Sequence, residues 1–327
     1  MMKGTAVARA NIAFIKYWGN LSDDLRLPMN GSISMTLDRL RTVTTVEFSP
    51  ALTKDEIEVD GVEPSPGAKE RIVAHLDRLR SLVGESLKAR VVSVNDFPTG
   101  VGLASSASGF AALTLAAAAA LEMGLEDREL STLARLGSGS ATRSIWGGYV
   151  EWVAGAKHED SFASQIAPPE HWEICDCIAL VSTDTKEVAS SEGHRLAKSS
   201  PLYLARLSQV KEDLDRVREA ILTRDFESLG SVAERDALSL HAIMMTSQPS
   251  LLYWTPATVR VMKEVRNWRE EGHYVYFTID AGPNVHLLTL PSCVEEIERA
   301  LGKVEGVRQV IVCRPGQGVR LIEEHLF

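Results

Sequence analysis

The chain has 327 residues, 45% of them hydrophobic and 24% charged, an ordinary globular composition long enough for two domains. Its formal net charge of −9 gives no general attraction to nucleic acid or an anionic membrane, so a phosphorylated ligand needs a local basic pocket. The four cysteines have no zinc-like spacing, the N-terminus has no apolar leader, and the longest apolar run, inside 110–121, is too short to span a bilayer; the expectation is a cytoplasmic protein without nucleic-acid or membrane partners.

Residues 4–16 alternate small and apolar side chains and predict a strand ending at Lys16-Tyr17-Trp18-Gly19-Asn20. Residues 27–37 set Ile33, Met35 and Leu37 against Ser32, Ser34 and Thr36, the pattern of a half-buried strand. Further strands are predicted over 42–48 and 88–94, with Ile72, Leu76 and Leu79 at helical spacing between them. A Gly-rich stretch, 98–109, opens a helical run of small apolar residues to Leu121; 127–136 predict a helix and 149–152 a strand. The polar segment 155–164 and the breaker Ala167-Pro168-Pro169 place a domain boundary there, dividing the chain into 1–170 and 171–327. Beyond it come a buried strand at 174–182, with Cys175 and Cys177 as core thiols, and helices within 200–245 and 255–271. Strands at 273–279 and 285–290, a helix at 291–302 and a strand at 308–314 complete a βαββαβ order with extra helix in the first crossover. That order suits a ferredoxin-like half of an α+β protein.

The stretch Phe97-Pro98-Thr99-Gly100-Val101-Gly102-Leu103-Ala104-Ser105-Ser106 is the strongest chemical signal. Glycines let backbone approach a ligand, and the first turn of a helix offers free N–H groups to a phosphate. Ser105 and Ser106 add hydroxyl donors, either of which reaches a metal ion on the phosphates. The glycines alone favour a plain turn before a buried Ala-rich helix; the paired serines shift the reading toward phosphate. Neither a Walker loop nor a dinucleotide fingerprint fits.

The wording of residues 98–107 resembles the second motif of the GHMP kinase superfamily, Pro-x-x-x-Gly-Leu-x-Ser-Ser-Ala, in the form closest to the diphosphomevalonate decarboxylase family. The resemblance implies a two-domain GHMP kinase-like fold, with an N-terminal ribosomal-S5-like α/β domain and a C-terminal ferredoxin-like βαββαβ domain. It implies ATP and Mg²⁺ as cofactors, held at Gly100, Gly102, Leu103, Ser105 and Ser106, with Ser106 the protein group within reach of the metal. It also implies a phosphorylated mevalonate as substrate, and a homodimer.

Three more constellations carry the resemblance. Asn11 and Lys16, followed by Tyr17-Trp18-Gly19, suit carboxylate or phosphate recognition, although taken alone the stretch favours a strand end with a solvated Lys and core aromatics. They resemble the family's Asn-Ile-Ala-x-x-Lys-Tyr-Trp-Gly-Lys, which implies Asn11 and Lys16 near the substrate carboxylate and the transferred phosphate, and Tyr17 on the phosphate side. Gly137–Gly148 sets Ser138, Ser140 and Arg143 in a Gly-rich turn, an anion cradle or a flexible loop with a surface Arg. Its likeness to Gly-Ser-Gly-Ser-Ala-x-Arg-Ser-x-x-Gly-Gly implies that Ser138 and Ser140 bind the 5-phosphate end and Arg143 the carboxylate. Asp280, before Ala281-Gly282-Pro283-Asn284 at the end of an apolar strand, suits a catalytic carboxylate or a turn cap. The family's Asp-Ala-Gly-Pro-Asn implies contact with the tertiary 3-hydroxyl. Lys186 and Ser190, His241 as a structural residue, and Gly316-Gln317-Gly318 resemble the family more diffusely.

Two departures bear on the substrate. Asn20 stands where the family carries Lys, and Ser191 where some relatives carry Arg. Each lost charge-assisted contact is worth about 1.5–3 kcal/mol, so the expectation is an enzyme that tolerates or prefers 5-phosphomevalonate over the diphosphate. The resemblance implies that Asp280 orients or deprotonates the 3-hydroxyl, which attacks the γ-phosphate of ATP, and that phosphate and CO₂ then leave to give an isopentenyl (di)phosphate. A GHMP small-molecule kinase without decarboxylation and a nucleotide-binding module without turnover are the competing readings.

Overall fold

The computed structural model describes residues 2–97, 105–184 and 188–327. Its first half supplies six strands of a seven-stranded sheet. Strand β1 (Met2–Ile15) leads through the short ribbon β2 (Asn20–Ser22) and β3 (Leu27–Pro28) to β4 (Ser32–Ser49). Then come β5 (Glu56–Val59), helix α1 (Pro66–Val83), β6 (Lys88–Asn95), α2 (Ser105–Ala120), α3 (Asp127–Gly137), a 3-10 turn over Gly139–Ser144, β7 (Tyr149–Trp152) and β8 (Ala163–Ala167). Long antiparallel pairing joins β1 to β4, and β4 in turn pairs with β6 and β7.

The predicted strands at 27–37 and 42–48 are one strand. β4 passes through a left-handed Leu40, φ +59°, and the pairing with β1 shifts register between Arg9 and Asn11. That irregularity breaks the alternation the sequence shows. Nor is β4 half-buried: Ser32, Ser34 and Thr36 are as buried as Ile33 and Met35. The 3-10 turn covers their face, and Arg143 donates hydrogen bonds to both serines. Strands β5 and β8 are too short to read from alternation.

The Ala-rich α2 packs against β1 and β4. Small side chains allow close approach; at Gly4 a side chain would strike the carbonyl of Ala116. Leu76, Leu79, Val91, Phe110 and Leu133 fill the rest of this layer.

The second half contains β9 (Cys175–Leu180), α4 (Ser190–Leu196), α5 (Tyr203–Thr223), α6 (Phe226–Thr246), α7 (Pro256–Glu270), β10 (Val275–Thr278), β11 (Val285–Thr289), α8 (Val294–Leu301) and β12 (Gln309–Cys313). Its four-stranded sheet runs β10-β11-β9-β12, all antiparallel, the ferredoxin-like order. Cys175 and Cys177 are buried free thiols in β9. Thr255 caps α7 by accepting from the Thr258 N–H, with Pro256 at the first helical position.

Helix α6 touches both β1 and β10, and one core takes in Ile12 and Phe14 of β1, Val217 of α5, Phe226 of α6 and Leu288 of β11. The chain finally returns to the first sheet, where β13 (Arg320–Leu321) pairs with β1. The C-terminal end of β1 therefore lies against the second half, and that contact positions the site.

Candidate active site

Lys16 follows the last residue of β1 and is 3% exposed. Its backbone is fixed by groups from three other segments. Its N–H donates to Asp236 Oδ2 at 2.9 Å; its carbonyl accepts from Arg206 Nη2 at 3.0 Å and Asn30 Nδ2 at 2.9 Å. Arg206 and Asp236 are themselves a buried ion pair, 2.8 Å apart. Burial pushes the Asp236 carboxyl up, and Arg206 and Lys16 oppose that shift. The Lys16 side chain is thus aimed, and its Nζ meets Asp280 Oδ1 at 2.6 Å.

Asp280 follows β10 in a turn closed by the Gly282 N–H donating to the Asp280 carbonyl at 2.7 Å. Asn284 ties the far side of that turn to the end of β9, where its Oδ1 accepts from the Val181 and Ser182 N–H groups at 2.9 and 3.2 Å. His241 Nε2 bonds the Asp280 carbonyl at 3.1 Å, and burial pulls its pKa down to about 4. The His241 ring therefore supports the turn in neutral form.

Arg143 is buried, not a surface residue. Its Nε and Nη1 donate to Ser34 and Ser32 Oγ at 3.0 and 2.6 Å, and its Nη2 to Asn11 Oδ1 at 3.1 Å. Burial lowers its pKa to about 10, against the raising influence of Asp280, so the guanidinium stays charged at neutral pH. Three of its five N–H groups are used, leaving two for an anion. Asn11 Nδ2 donates to Ser144 Oγ at 2.8 Å and to the Ser140 carbonyl at 3.2 Å, so its amide orients Arg143 on one side and the 3-10 turn on the other.

Ser106, in the first turn of α2, lies 3.2 Å from Ser138, and Ser138 lies 3.3 Å from Ser140, oxygen to oxygen. Three hydroxyls thus run from the start of α2 into the turn that carries Arg143. Tyr17 is held between His194, stacked at 4.2 Å, and Trp152, edge-on at 4.7 Å. Its hydroxyl donates to Asn20 Oδ1, and burial pushes the phenol pKa up. His194 Nδ1 accepts from the Gly19 N–H at 2.9 Å, and burial lowers its pKa to about 3.

One cavity of about 540 Å³ gathers these groups. Asn11, Lys16, Tyr17, Arg143 and Asp280 line it, with Ser105 and Ser106, Ser138 and Ser140, and Ser190. Gly100, Gly102, Leu103 and Lys186 lie outside the described residues. Several lining residues carry no signal in the sequence: Arg26, Arg71, Ser65 and His194. The holding groups Asn30, Arg206 and Asp236 are equally silent, reading as ordinary loop or helix polarity.

Among the described residues no three His, Cys, Asp or Glu side chains stand together as a metal site. The hydroxyls of Ser105 and Ser106 at a helix N-terminus are hard oxygen donors, and they fit a magnesium ion that keeps most of its coordination on nucleotide phosphates.

The fold and the site define a two-domain enzyme of the GHMP kinase-like class. Residues 8–163 match the Diphosphomevalonate decarboxylase-like N-terminal domain, and residues 177–320 match the Mevalonate 5-diphosphate decarboxylase C-terminal domain. The chain belongs to the diphosphomevalonate decarboxylase family. It is 37% identical to a diphosphomevalonate decarboxylase of Candida albicans over 301 residues, 87% of this chain and 83% of the relative. It is 35% identical to a phosphomevalonate decarboxylase of Haloferax volcanii over 302 residues, 92% of each chain. Among solved structures, MDDEF in complex with MVAPP, AMPPCP and magnesium matches with a TM-score of 0.93 at 37% identity, over 98% of this chain and 99% of that one.

Proposed function

We propose that this chain is an ATP-dependent decarboxylase of 5-phosphorylated mevalonate. It transfers the γ-phosphoryl group to the 3-hydroxyl, then releases phosphate and CO₂ to give an isopentenyl (di)phosphate for isoprenoid synthesis. The observation that carries this reading is that Asp280 with Lys16, and Arg143 with Asn11, face one cavity whose wall includes the serines at the start of α2.

Asp280 orients the tertiary hydroxyl and takes up its proton as the oxygen bonds to phosphorus. Lys16 offsets charge on the phosphoryl group in transfer. Arg143, held by Asn11, Ser32 and Ser34, fixes the carboxylate so that the C–C bond breaks in line with the departing phosphate. The electron pair of that bond forms the alkene. Ser138 and Ser140, with Tyr17 and Ser190, hold the 5-phosphate end. Bound magnesium would neutralise charge on the nucleotide phosphates. The work of the protein is positioning and electrostatics, as in phosphoryl transfer generally.

A homodimer, a cytoplasmic location and the division of the chain at 170/171 belong to the same proposal. The family relationship supports the first and the sequence composition the second; the two sheets support the third up to β12, since β13 returns to the first sheet. No helix among the described residues is long and apolar enough to cross a membrane.

Product analysis tests the function. With ATP and mevalonate 5-phosphate or 5-diphosphate, ADP, phosphate and CO₂ should appear in equal amounts. ADP without CO₂ would make the chain a small-molecule kinase, and no ADP at all would make it a binding module.

A further inference from the structure

The phosphate end of the cavity contains a cation that no motif announces. Arg26 sits at the tip of the β2–β3 ribbon with a left-handed backbone, φ +46°, a conformation a non-glycine residue holds only when its surroundings impose it. What holds it is visible: Nε donates to the Leu136 carbonyl at 3.0 Å, two residues before Ser138. Arg78 Nη1 reaches the same carbonyl at 3.3 Å, and Arg71 Nη2 reaches the Gly137 carbonyl at 3.1 Å. Three guanidinium groups thus converge on the negative, C-terminal end of α3.

None of the three forms a salt bridge among the described residues, in a chain whose net charge is −9. Burial lowers the pKa of Arg26, while the Tyr17 phenol opposes that shift and Arg78 adds to it; burial and Arg26 both lower that of Arg71. Asp23 and the α3 carbonyls offset part of this charge, and no ion pair among the described residues neutralises the rest, which leaves the cluster suited to an anion. The anchor at Leu136 uses one N–H of Arg26, and the two terminal nitrogens of its fork remain for a phosphate. Asn20 brings no charge there, and both ends of its amide are engaged. Its carbonyl oxygen takes the Tyr17 hydroxyl, and its amide donates to Asp23 at 2.6 Å.

We infer that Arg26 receives the outer phosphate of a diphosphorylated substrate, beyond the phosphate held by Ser138 and Ser140. The chain therefore selects the 5-diphosphate ester over the 5-monophosphate. The inference rests on the proposed function and reverses the preference expected from Asn20 alone: the missing charge comes from six residues further along.

The test compares kcat/KM for the two mevalonate esters in wild type, Arg26→Gln and Arg26→Lys, with the KM for ATP measured alongside. Wild type should favour the diphosphate by about tenfold or more. In Arg26→Gln the diphosphate-to-monophosphate ratio should fall by about 10- to 150-fold, mainly through KM, the loss of one charge-assisted contact. Arg26→Lys should recover most of the ratio. A wild-type preference for the monophosphate, an equal loss on both esters, or a rise confined to the KM for ATP would overturn the assignment and leave the decarboxylase reading standing. Turnover of neither ester by wild type would overturn both.

Discussion

Lys16 Nζ and Asp280 Oδ1 lie 2.6 Å apart, although 264 residues separate them in the chain. One comes from the end of the first sheet and the other from the turn after β10, so their meeting depends on both halves of the molecule. The Lys16 side chain is buried and that of Asp280 is 27% exposed, which leaves the carboxylate accessible from the cavity. Asp280→Asn keeps the shape and removes the proposed base. It should lower kcat by about 10²- to 10⁴-fold, the usual worth of a general base. Binding of a fluorescent ATP analogue should persist. Near-normal turnover would remove Asp280 from the mechanism.

The same relationship predicts a stability effect away from the chemistry. Asp236 pairs with Arg206 at 2.8 Å and accepts the Lys16 N–H, with 2% of the residue exposed. Asp236→Ala leaves Arg206 buried without its partner, and breaking such a pair costs about 3–5 kcal/mol. Urea unfolding should show that loss, with a smaller one for Asp236→Asn. A change under about 1 kcal/mol, against the range expected for this class, would mean that the network does not hold β1.

How far the sequence discloses this site follows from where each group sits. On residue type alone Asn11, Lys16, Arg143 and Asp280 leave a purely structural reading open, and what singles them out is the likeness of their short runs to the family's motifs. The βαββαβ order is legible because its strands and helices carry clean periodicity. Arg206 and Asp236 lie in long helices, where a charge reads as a solvated face, and their partner at Lys16 is 190 and 220 residues away. Arg26 and Arg71 are silent for the same reason, since their meaning comes from the end of α3. The break at Leu40 hides the continuity of β4, because a left-handed leucine is imposed by pairing on both sides and not by local preference.

The turn before Arg143 offers a steric test. A Cβ at Gly139 would sit 2.6 Å from Tyr17 Cε1 and 3.1 Å from Trp152 Cη2. The Tyr17 ring is already held between His194 and Trp152 and has little room to yield. Gly139→Ala should therefore cost about 1–3 kcal/mol, the range for overpacking a filled site. It should also raise the KM for the mevalonate ester about tenfold, as Tyr17 leaves the phosphate end. Gly67→Ala, where nothing lies within 4 Å, is the matched control. Equal behaviour of the two variants would show that Tyr17 is not positioned by this packing.

Three histidines, His75 and His241 buried and His194 half-buried, set the response to acid. Burial lowers His75 and His194 to about 3 and His241 to about 4. His75 Nε2 bonds Thr114 Oγ1, whose own proton goes to the Phe110 carbonyl, and His75 Nδ1 has no partner, so a second proton would be buried unsatisfied. In the unfolded chain each histidine takes its proton near pH 6.5. Below that pH the unfolded state binds more protons than the folded one, so stability falls as pH falls, and the slope ends only near pH 3–4. From pH 7 to 5.5 each histidine should cost about 1 kcal/mol, roughly 3–4 kcal/mol together. Urea midpoints at the two pH values measure this, and His75→Gln should remove about a third of the difference. A midpoint that does not move between pH 7 and 5.5 would mean that the three rings accept protons in the folded state as readily as in the unfolded one.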